Sequence, residues 1–489
     1  MTTPRDSAEL ARLNQLRPPT WCNPTPAVIY DFLILGGGTT GIVAAHAAAA
    51  LGGKVALIER HLLGGNCLNI GCIPSKALIR TSRLYAEMRD AERFGAQSPA
   101  DIQVDFAATM QRMRNIRARL SRTSSAHELV AAGVHVFFGD AHFIGADALL
   151  LDGTIVRFRK ALIATGAHPD IPVIDGLAAA DYFTNANVFD LTELPRRLLV
   201  IGGGPLGCEM AQAFARLGAR TTIVQNWPLF LPREERDAAQ LLSEAFARDG
   251  IEVRLNTEVA SVRVESGVKH VQLVSDDYHS TLAVDAILTG TGRVPTVDGL
   301  DLKAAGVNFD PVRGVHVNDF LRTSNRKIYA AGDVCLEYKF NDLADATAEM
   351  AVHNALRFGR RRLSSLTIPW CTYTDPEVAH VGLYVRQARE RGIPVQTFTV
   401  LMQDVDRAVA DSEETGFVKI HVRDGSDRIL GATIVARHAG EMIGEITLAM
   451  VAGVGLRTLS RVLHPYPTQA QAITMAAAAC RRSSRNREA

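Results

Sequence analysis

The run Gly64-Gly65-Asn66-Cys67-Leu68-Asn69-Ile70-Gly71-Cys72-Ile73-Pro74-Ser75-Lys76 organises the reading of this chain. It places two cysteines five residues apart, just ahead of a helical pattern. Pro74 suits a helix only in the first turn, so a helix should begin near Cys72. The free N–H groups and partial positive charge of that helix start favour a Cys72 thiolate. Lys76 follows one turn later, at i+4, on the same side. An ideal helix would turn Cys67 away from Cys72. Cys67 is therefore expected in an irregular segment before the helix, where Gly71 loosens the chain. Such a pair reads as a redox-active disulfide, a structural disulfide or a metal pair. A Gly-rich fingerprint upstream and Pro-Ser-Lys downstream favour the redox reading.

That fingerprint is Asp31-Phe-Leu-Ile-Leu-Gly-Gly-Gly-Thr-Thr-Gly41. An apolar strand runs into Gly36, Gly38 and Gly41, an Ala-rich helix follows to about Ala50, and a second strand, Lys54 to Glu59, ends in an acid. The glycines permit a tight turn and close approach to a pyrophosphate at the helix start, and Glu59 is placed to bond an adenosine ribose. The pattern recurs at Arg197-Leu-Leu-Val-Ile-Gly-Gly-Gly-Pro-Leu-Gly207, with Gly202, Gly204 and Gly207. Its next strand, Arg220 to Gln225, ends without an acid. Two such units imply two dinucleotides, one a bound flavin and the other an exchanging nicotinamide.

Further segments, in order, carry a family resemblance: Ala164-Thr-Gly-Ala-His-Pro169, Thr289-Gly-Thr-Gly-Arg-Val-Pro295, Ile328-Tyr-Ala-Ala-Gly-Asp-Val334 and Tyr373-Thr-Asp-Pro-Glu-Val-Ala379. With the cysteine run, they make the chain resemble the class I pyridine nucleotide-disulfide oxidoreductases, from about Tyr30 to Ala478, and in particular their mercuric reductase-like subgroup. The resemblance implies an α/β fold of two Rossmann-like dinucleotide-binding domains, for FAD and NAD(P), and a C-terminal α+β dimerisation domain. It implies FAD contacts at Glu59, Gly65, Thr165, Gly166, Gly332, Asp333 and Ala344, a nucleotide contact at Gly292, and a Lys76–Glu209 pair beside the flavin. It also implies roles for the cysteines: Cys72 as the charge-transfer sulfur, Cys67 as the exposed interchange thiol, and both as transient ligands of a substrate metal ion, with no structural metal.

The chain has 489 residues, more than one core accommodates, since cores stop growing near roughly 250–300 residues. The expected division is an arm over 1–29, a flavin domain over 30–169 and 296–365, a nicotinamide domain over 170–295 and a dimerisation domain over 366–489. Net charge is +1, from 53 basic and 52 acidic residues, which argues against nucleic acid as a partner. The basic runs Arg357-Phe-Gly-Arg-Arg-Arg362 and Arg481-Arg-Ser-Ser-Arg-Asn-Arg487 read as solvated surface. Seven scattered cysteines do not form a secreted disulfide framework, and no stretch reads as a signal peptide or membrane span, so a reducing cytoplasm is expected. The arm, with Pro18, Pro19, Trp21, Pro24 and Pro26, is expected to lie across the surface without forming a domain.

One segment departs from the family. Relatives carry His-Pro-Thr-x-x-Glu, a dyad that a partner subunit brings to the disulfide. Here His464-Pro-Tyr-Pro-Thr-Gln-Ala-Gln471 puts Tyr466 at the base position and Gln471 at the acid position. Neither serves as a base near neutral pH. His464 reads either as a compensating base or as a packed residue. Tyr466, supplied across a homodimer, and the segment Asp404-Val-Asp-Arg-Ala408 both resemble mercuric reductase. A Cys-containing carrier domain and a C-terminal Cys-Cys pair are absent from the pattern, Cys480 standing alone. Gln225 removes a repulsion toward a 2′-phosphate, and Arg233 is placed like a phosphate-binding residue, so NADPH is preferred over NADH. The expected reaction passes electrons from NAD(P)H through FAD and the Cys67–Cys72 disulfide to a soft metal ion such as Hg(II). A small disulfide or dithiol is the alternative substrate, and a flavin-loaded redox sensor or metal-binding protein with little turnover is the third reading.

Overall fold

A computed structural model describes residues 6–97, 102–276, 278–357 and 359–488. Residues 1–5 of the arm, Phe358 in the first basic run, and the side chains beyond Ser484 in the second lie outside the described residues.

The apolar runs become central strands. Tyr30–Leu35 pairs in parallel with Val55–Glu59 on one side and Thr154–Ile163 on the other, and Val134–Phe138 and Ile328–Ala330 extend the sheet. Strands covered on both faces read as continuous apolar runs, and Phe32, Leu33 and Ile34 are fully buried. The first half of Thr154–Ile163 instead pairs antiparallel with Ala148–Leu151, which continues to Ala141–Gly145. Helix Thr39–Ala50 packs against helix Asn341–Leu356, so chain from both ends of the sequence builds this unit.

A second parallel sheet runs Glu252–Arg254, Arg220–Val224, Arg197–Ile201, Ala286–Thr289. An antiparallel ribbon of Glu258–Glu265, Val268–Val274 and His279–Val284 accompanies it. The chain enters and leaves through one short ladder, Ala167–Pro169 antiparallel to Arg293–Pro295. The C-terminal part is a five-stranded antiparallel sheet, ordered Pro369–Thr372, Glu377–Gly382, Ile429–Ala436, Phe417–Arg423, Val395–Leu401. Helices Ala439–Val451 and Gln471–Glu488 pack on it. The architecture is thus the expected pair of dinucleotide-binding α/β units with an α+β third part.

Asp375 staples three regions. It pairs with Arg216 at 2.7 Å, Arg437 at 3.3 Å and Arg83 at 3.8 Å. Burial alone would raise its pKa, but the three guanidiniums outweigh burial and hold it below the usual carboxylate range.

The arm contains an element that its prolines did not announce. Ser7–Leu16 is a helix, capped by Asp6, with Arg12 and Leu16 buried. The Pro-rich stretch only follows it, so the composition of the whole arm concealed a short amphipathic segment. The polar region that follows the cysteine helix folds as two helices, Phe106–Leu120 and Ala126–Ala131.

Candidate active site

Each Gly-rich turn is closed by contact between its own backbone atoms. A Cβ on Gly41 would sit 1.8 Å from the Gly36 carbonyl oxygen, and one on Gly207 would sit 2.0 Å from that of Gly202. Only glycine permits either turn. Gly38 and Gly204 stand at the starts of the two helices. In the first turn Glu59 Oε2 accepts from the Gly37 N–H at 2.7 Å, and Oε1 accepts from His61 N–H at 2.7 Å. In the second, Gln225 is buried, its Nε2 donates to the Leu229 carbonyl at 2.8 Å, and its Oε1 faces Gly203. Arg233 and Asn226 are exposed in the loop that follows.

Most of the other expected contacts gather around the first turn. Gly65 abuts Gly38: a Cβ on Gly65 would lie 2.6 Å from the Gly38 Cα. Thr165 Oγ1 donates to Thr296 O at 2.7 Å, and the Gly166 carbonyl accepts from Thr296 N–H at 2.9 Å. The Gly332 N–H reaches Thr347 Oγ1 at 3.3 Å, and Thr347 in turn donates to the Ala344 carbonyl at 3.2 Å. The Gly292 carbonyl accepts from Asp170 N–H at 3.0 Å. Asp333 is paired with Arg293 at 2.7 Å, and Arg293 also donates to Ala167 O at 3.0 Å. Sequence reading did not single out Arg293, because its role depends on two partners distant in the chain.

The cysteines are brought together by a break between two helices. Cys72 opens helix Cys72–Arg89 as expected, with Pro74 in its first turn. Cys67 is not in an irregular segment: it lies in a short helix, Gly65–Ile70. Gly71 separates the two helices, and a Cβ there would come within 2.8 Å of the Asn66 carbonyl oxygen. The break redirects the chain and brings the two thiols into hydrogen-bond contact. That bond, above all, lowers the Cys72 pKa to about 7; Lys76 and Arg293 add to it, while burial and Glu209 oppose it. The same bond, with burial and the charges of Cys72 and Asp345, pushes the Cys67 thiol well up.

Lys76 Nζ pairs with buried Glu209 at 2.8 and 3.0 Å. It also sits 4.4 Å from the centre of the Tyr373 ring, and the Tyr373 N–H donates to Glu209 Oε1 at 3.0 Å. One carboxylate thus joins the cysteine helix, the second nucleotide unit and the C-terminal part. Tyr373 is in a segment quoted above, but its place over Lys76 was not legible there.

The C-terminal segment resolves the two readings of His464. Its Nε2 meets Glu445 Oε2 at 2.8 Å and its Nδ1 meets Thr474 Oγ1 at 2.8 Å. Both ring nitrogens are engaged, so His464 is a packed residue. Tyr466 is 72% exposed, and its hydroxyl donates to Asp406 Oδ2 at 2.8 Å. That carboxylate raises the phenol pKa, so the phenol stays protonated. Gln471 begins the last helix, and Cys480 is buried in the core of this part. Within the described residues, no helix is long and apolar enough to cross a membrane.

Residues 30–359 match the pyridine nucleotide-disulphide oxidoreductase family and residues 368–477 match its dimerisation domain. The chain is 35% identical over 453 residues to a mercuric reductase of Streptomyces lividans, covering 92% of this chain and 95% of that one. It is 33% identical over 462 residues to a dihydrolipoyl dehydrogenase of Chlorobaculum tepidum, covering 93% and 97%. Among solved structures, it resembles the HOCl-induced flavoprotein disulfide reductase RclA of Escherichia coli, with a TM-score of 0.82 and 28% identity over 92% of this chain and 99% of that one. It also resembles LpdA of Mycobacterium tuberculosis, with a TM-score of 0.84 and 27% identity over 92% and 99%. The backbone-lined contact of Gly38 with Gly65 and the carboxylate of Glu59 suit a dinucleotide such as FAD. The chain belongs to the pyridine nucleotide-disulphide oxidoreductases, as a self-associating flavoprotein that uses FAD and NAD(P)H.

Proposed function

We propose that this enzyme passes two electrons from NADPH to a soft metal ion held by the Cys67 and Cys72 thiolates, with Hg(II) as the model substrate. FAD supplies the two-electron relay between the nicotinamide and the thiol pair. Residues 30–169 and 296–365 hold FAD in this reading, residues 170–295 hold the nicotinamide nucleotide, and residues 366–489 form the subunit interface. Lys76, fixed by Glu209, supplies positive charge beside the Cys72 thiolate. Cys67 keeps its proton until a soft electrophile displaces it. Two adjacent sulfurs then suit a soft cation better than either does alone.

The observation that carries this reading is the state of the C-terminal segment. Tyr466 is a protonated phenol bound to Asp406, Gln471 does not ionise, and both His464 nitrogens are engaged. Reduction of a disulfide substrate needs a proton for its thiol leaving group, whereas a bound metal ion needs none. Tyr466 is exposed, and so are the apolar Leu463, Leu448 and Val451 of the same C-terminal part, side chains suited to meeting a second copy. In the dimer the phenol would enter the partner's site. A relative of 29% identity over 91% of this chain, with a TM-score of 0.82, is the Cu(II) complex of RclA, which supports a metal ion as a ligand of this fold. The similarity to a dihydrolipoyl dehydrogenase keeps a small dithiol as the second reading. The protonated Cys67 and a reducing cytoplasm suit either.

An anaerobic titration decides between them. NADPH is added to full reduction, then thiol-complexed Hg(II), Cu(II), lipoamide or glutathione disulfide. Hg(II) should reoxidise the enzyme at least about 100-fold faster than either disulfide, the size of one missing proton-transfer contribution. Faster reoxidation by a disulfide would replace the first reading with the second.

A further inference from the structure

Helix Ser7–Leu16 lies outside the matched family region, which begins at residue 30. It nevertheless reaches the short helix that carries Cys67. Arg12 is 6% exposed, and its Nη1 donates to Asn69 Oδ1. Its Nε donates to Glu9 Oε2 at 3.0 Å. Arg117, 2% exposed on helix Phe106–Leu120, donates to the same Glu9 oxygen at 3.1 Å and to the Asn69 carbonyl at 2.8 Å. Asn69 Nδ2 in turn donates to the carbonyls of Leu63 at 2.9 Å and Gly65 at 3.0 Å. Two arginines, bridged by one carboxylate, therefore converge on a single buried asparagine.

Asn69 is two residues from Cys67 on Gly65–Ile70, a separation that places the two side chains on different faces. One face carries the thiol toward Cys72. The other is gripped by the arm. We propose that Arg12 is a positioning residue for Cys67: with Glu9 and Arg117 it clamps Asn69 and thereby sets the direction of the helix that presents the interchange thiol.

The physical reason is that a six-residue helix has little stability of its own and is separated from its neighbour by Gly71. Its orientation must come from outside. Two backbone carbonyls near its C-terminal end are held by side chains, Asn69 O by Arg117 and Ile70 O by Asn185 Nδ2 at 3.1 Å. Arg12 is the contact made by a segment the family pattern does not include. Removing it leaves the Asn69 oxygen buried without its donor, and the helix shifts to recover one.

The inference rests on Cys67 being the interchange thiol, and the experiment separates the two claims. NADPH-reduced holoenzyme is treated with iodoacetamide, and the modified cysteine is located by peptide mass spectrometry. Cys72, the thiolate of the pair, is alkylated too, so the interchange assignment is read from exchange: a Cys72→Ser variant that forms no mixed disulfide at Cys67 with a small disulfide would overturn it. At Cys67 itself, Arg12→Gln should change the alkylation rate by about tenfold or more. The thiol–disulfide equilibrium against dithiothreitol should shift by at least about threefold. Arg12→Lys keeps the charge but loses the fork that serves Glu9 and Asn69 together, and should fall between wild type and Arg12→Gln. Should Arg12→Gln fail to retain FAD, Arg12→Lys alone decides, by the same two readings. A lower Tm with unchanged alkylation and equilibrium, in whichever variant is read, makes the arm a structural brace and overturns the proposal.

Discussion

The two dinucleotide-binding units have the same turn but differ in one charge. In the first, Glu59 ends the second strand and its carboxylate lies 2.7 Å from the Gly37 N–H. In the second, Gln225 occupies the corresponding place facing Gly203, and its amide is tied back to Leu229. The backbone offers a pyrophosphate cradle in both. In the proposed reading the terminal side chain then sets which ribose is accepted. A fixed carboxylate favours a free 2′-hydroxyl, whereas a neutral amide admits a 2′-phosphate. The surroundings differ as well. The first unit is wrapped by helix Asn341–Leu356 and carries the cysteine run, while the second leaves and re-enters it through one short ladder and packs its helix Pro205–Arg216 against the cysteine helix. That arrangement suits a resident cofactor in one unit and an exchanging one in the other.

The comparison is broken most severely at the turns. Gly41→Ala should give protein without FAD, read as the ratio of visible to ultraviolet absorbance. Gly207→Ala should remain yellow but lose about 100-fold or more in kcat/KM for NADPH. Loss of FAD in both would mean that the units do not act separately. A smaller effect is expected at the charge. Gln225→Glu should move the NADPH/NADH ratio of kcat/KM toward NADH by about tenfold, near 1.4 kcal/mol. No change would place the discrimination elsewhere, with exposed Arg233 the next residue to substitute. An effect of the same size, read on the other cofactor, belongs to Glu59→Gln. Losing one charge-assisted bond at the first turn should raise the FAD dissociation constant by about tenfold. An unchanged constant, by equilibrium dialysis, would show that the carboxylate serves only its own loop.

Legibility followed the range of the interactions. The turns, the helix start at Cys72 and the placement of Lys76 all depend on neighbours within a few residues, and they could be read from spacing. The pairing of Lys76 with Glu209, 133 residues apart, was accessible only through family resemblance. Contacts with no such guide were missed. The two helices meeting at Gly71 replace the irregular segment expected for Cys67, because the Asn69 network that holds the first helix spans distant segments. The helix in the arm was hidden by the prolines after it. His464 was ambiguous until Glu445 and Thr474 were seen on its two nitrogens, and the grip of Asp406 on Tyr466 is 60 residues long.

The central claim is that the thiol pair is polarised, with Cys72 the thiolate beside the flavin and Cys67 the protonated partner. The most direct measurement is the long-wavelength thiolate–flavin absorbance of enzyme reduced by two electrons, followed from pH 5 to pH 9. A group whose pKa is lowered to about 7 is charged above that pH and neutral below it. The band should therefore be full at high pH and fade on acidification, with a midpoint near about 7. Cys72→Ser should abolish it, and Cys67→Ser should display it without any reductant. A band that survives in Cys72→Ser and is missing in Cys67→Ser would contradict the account.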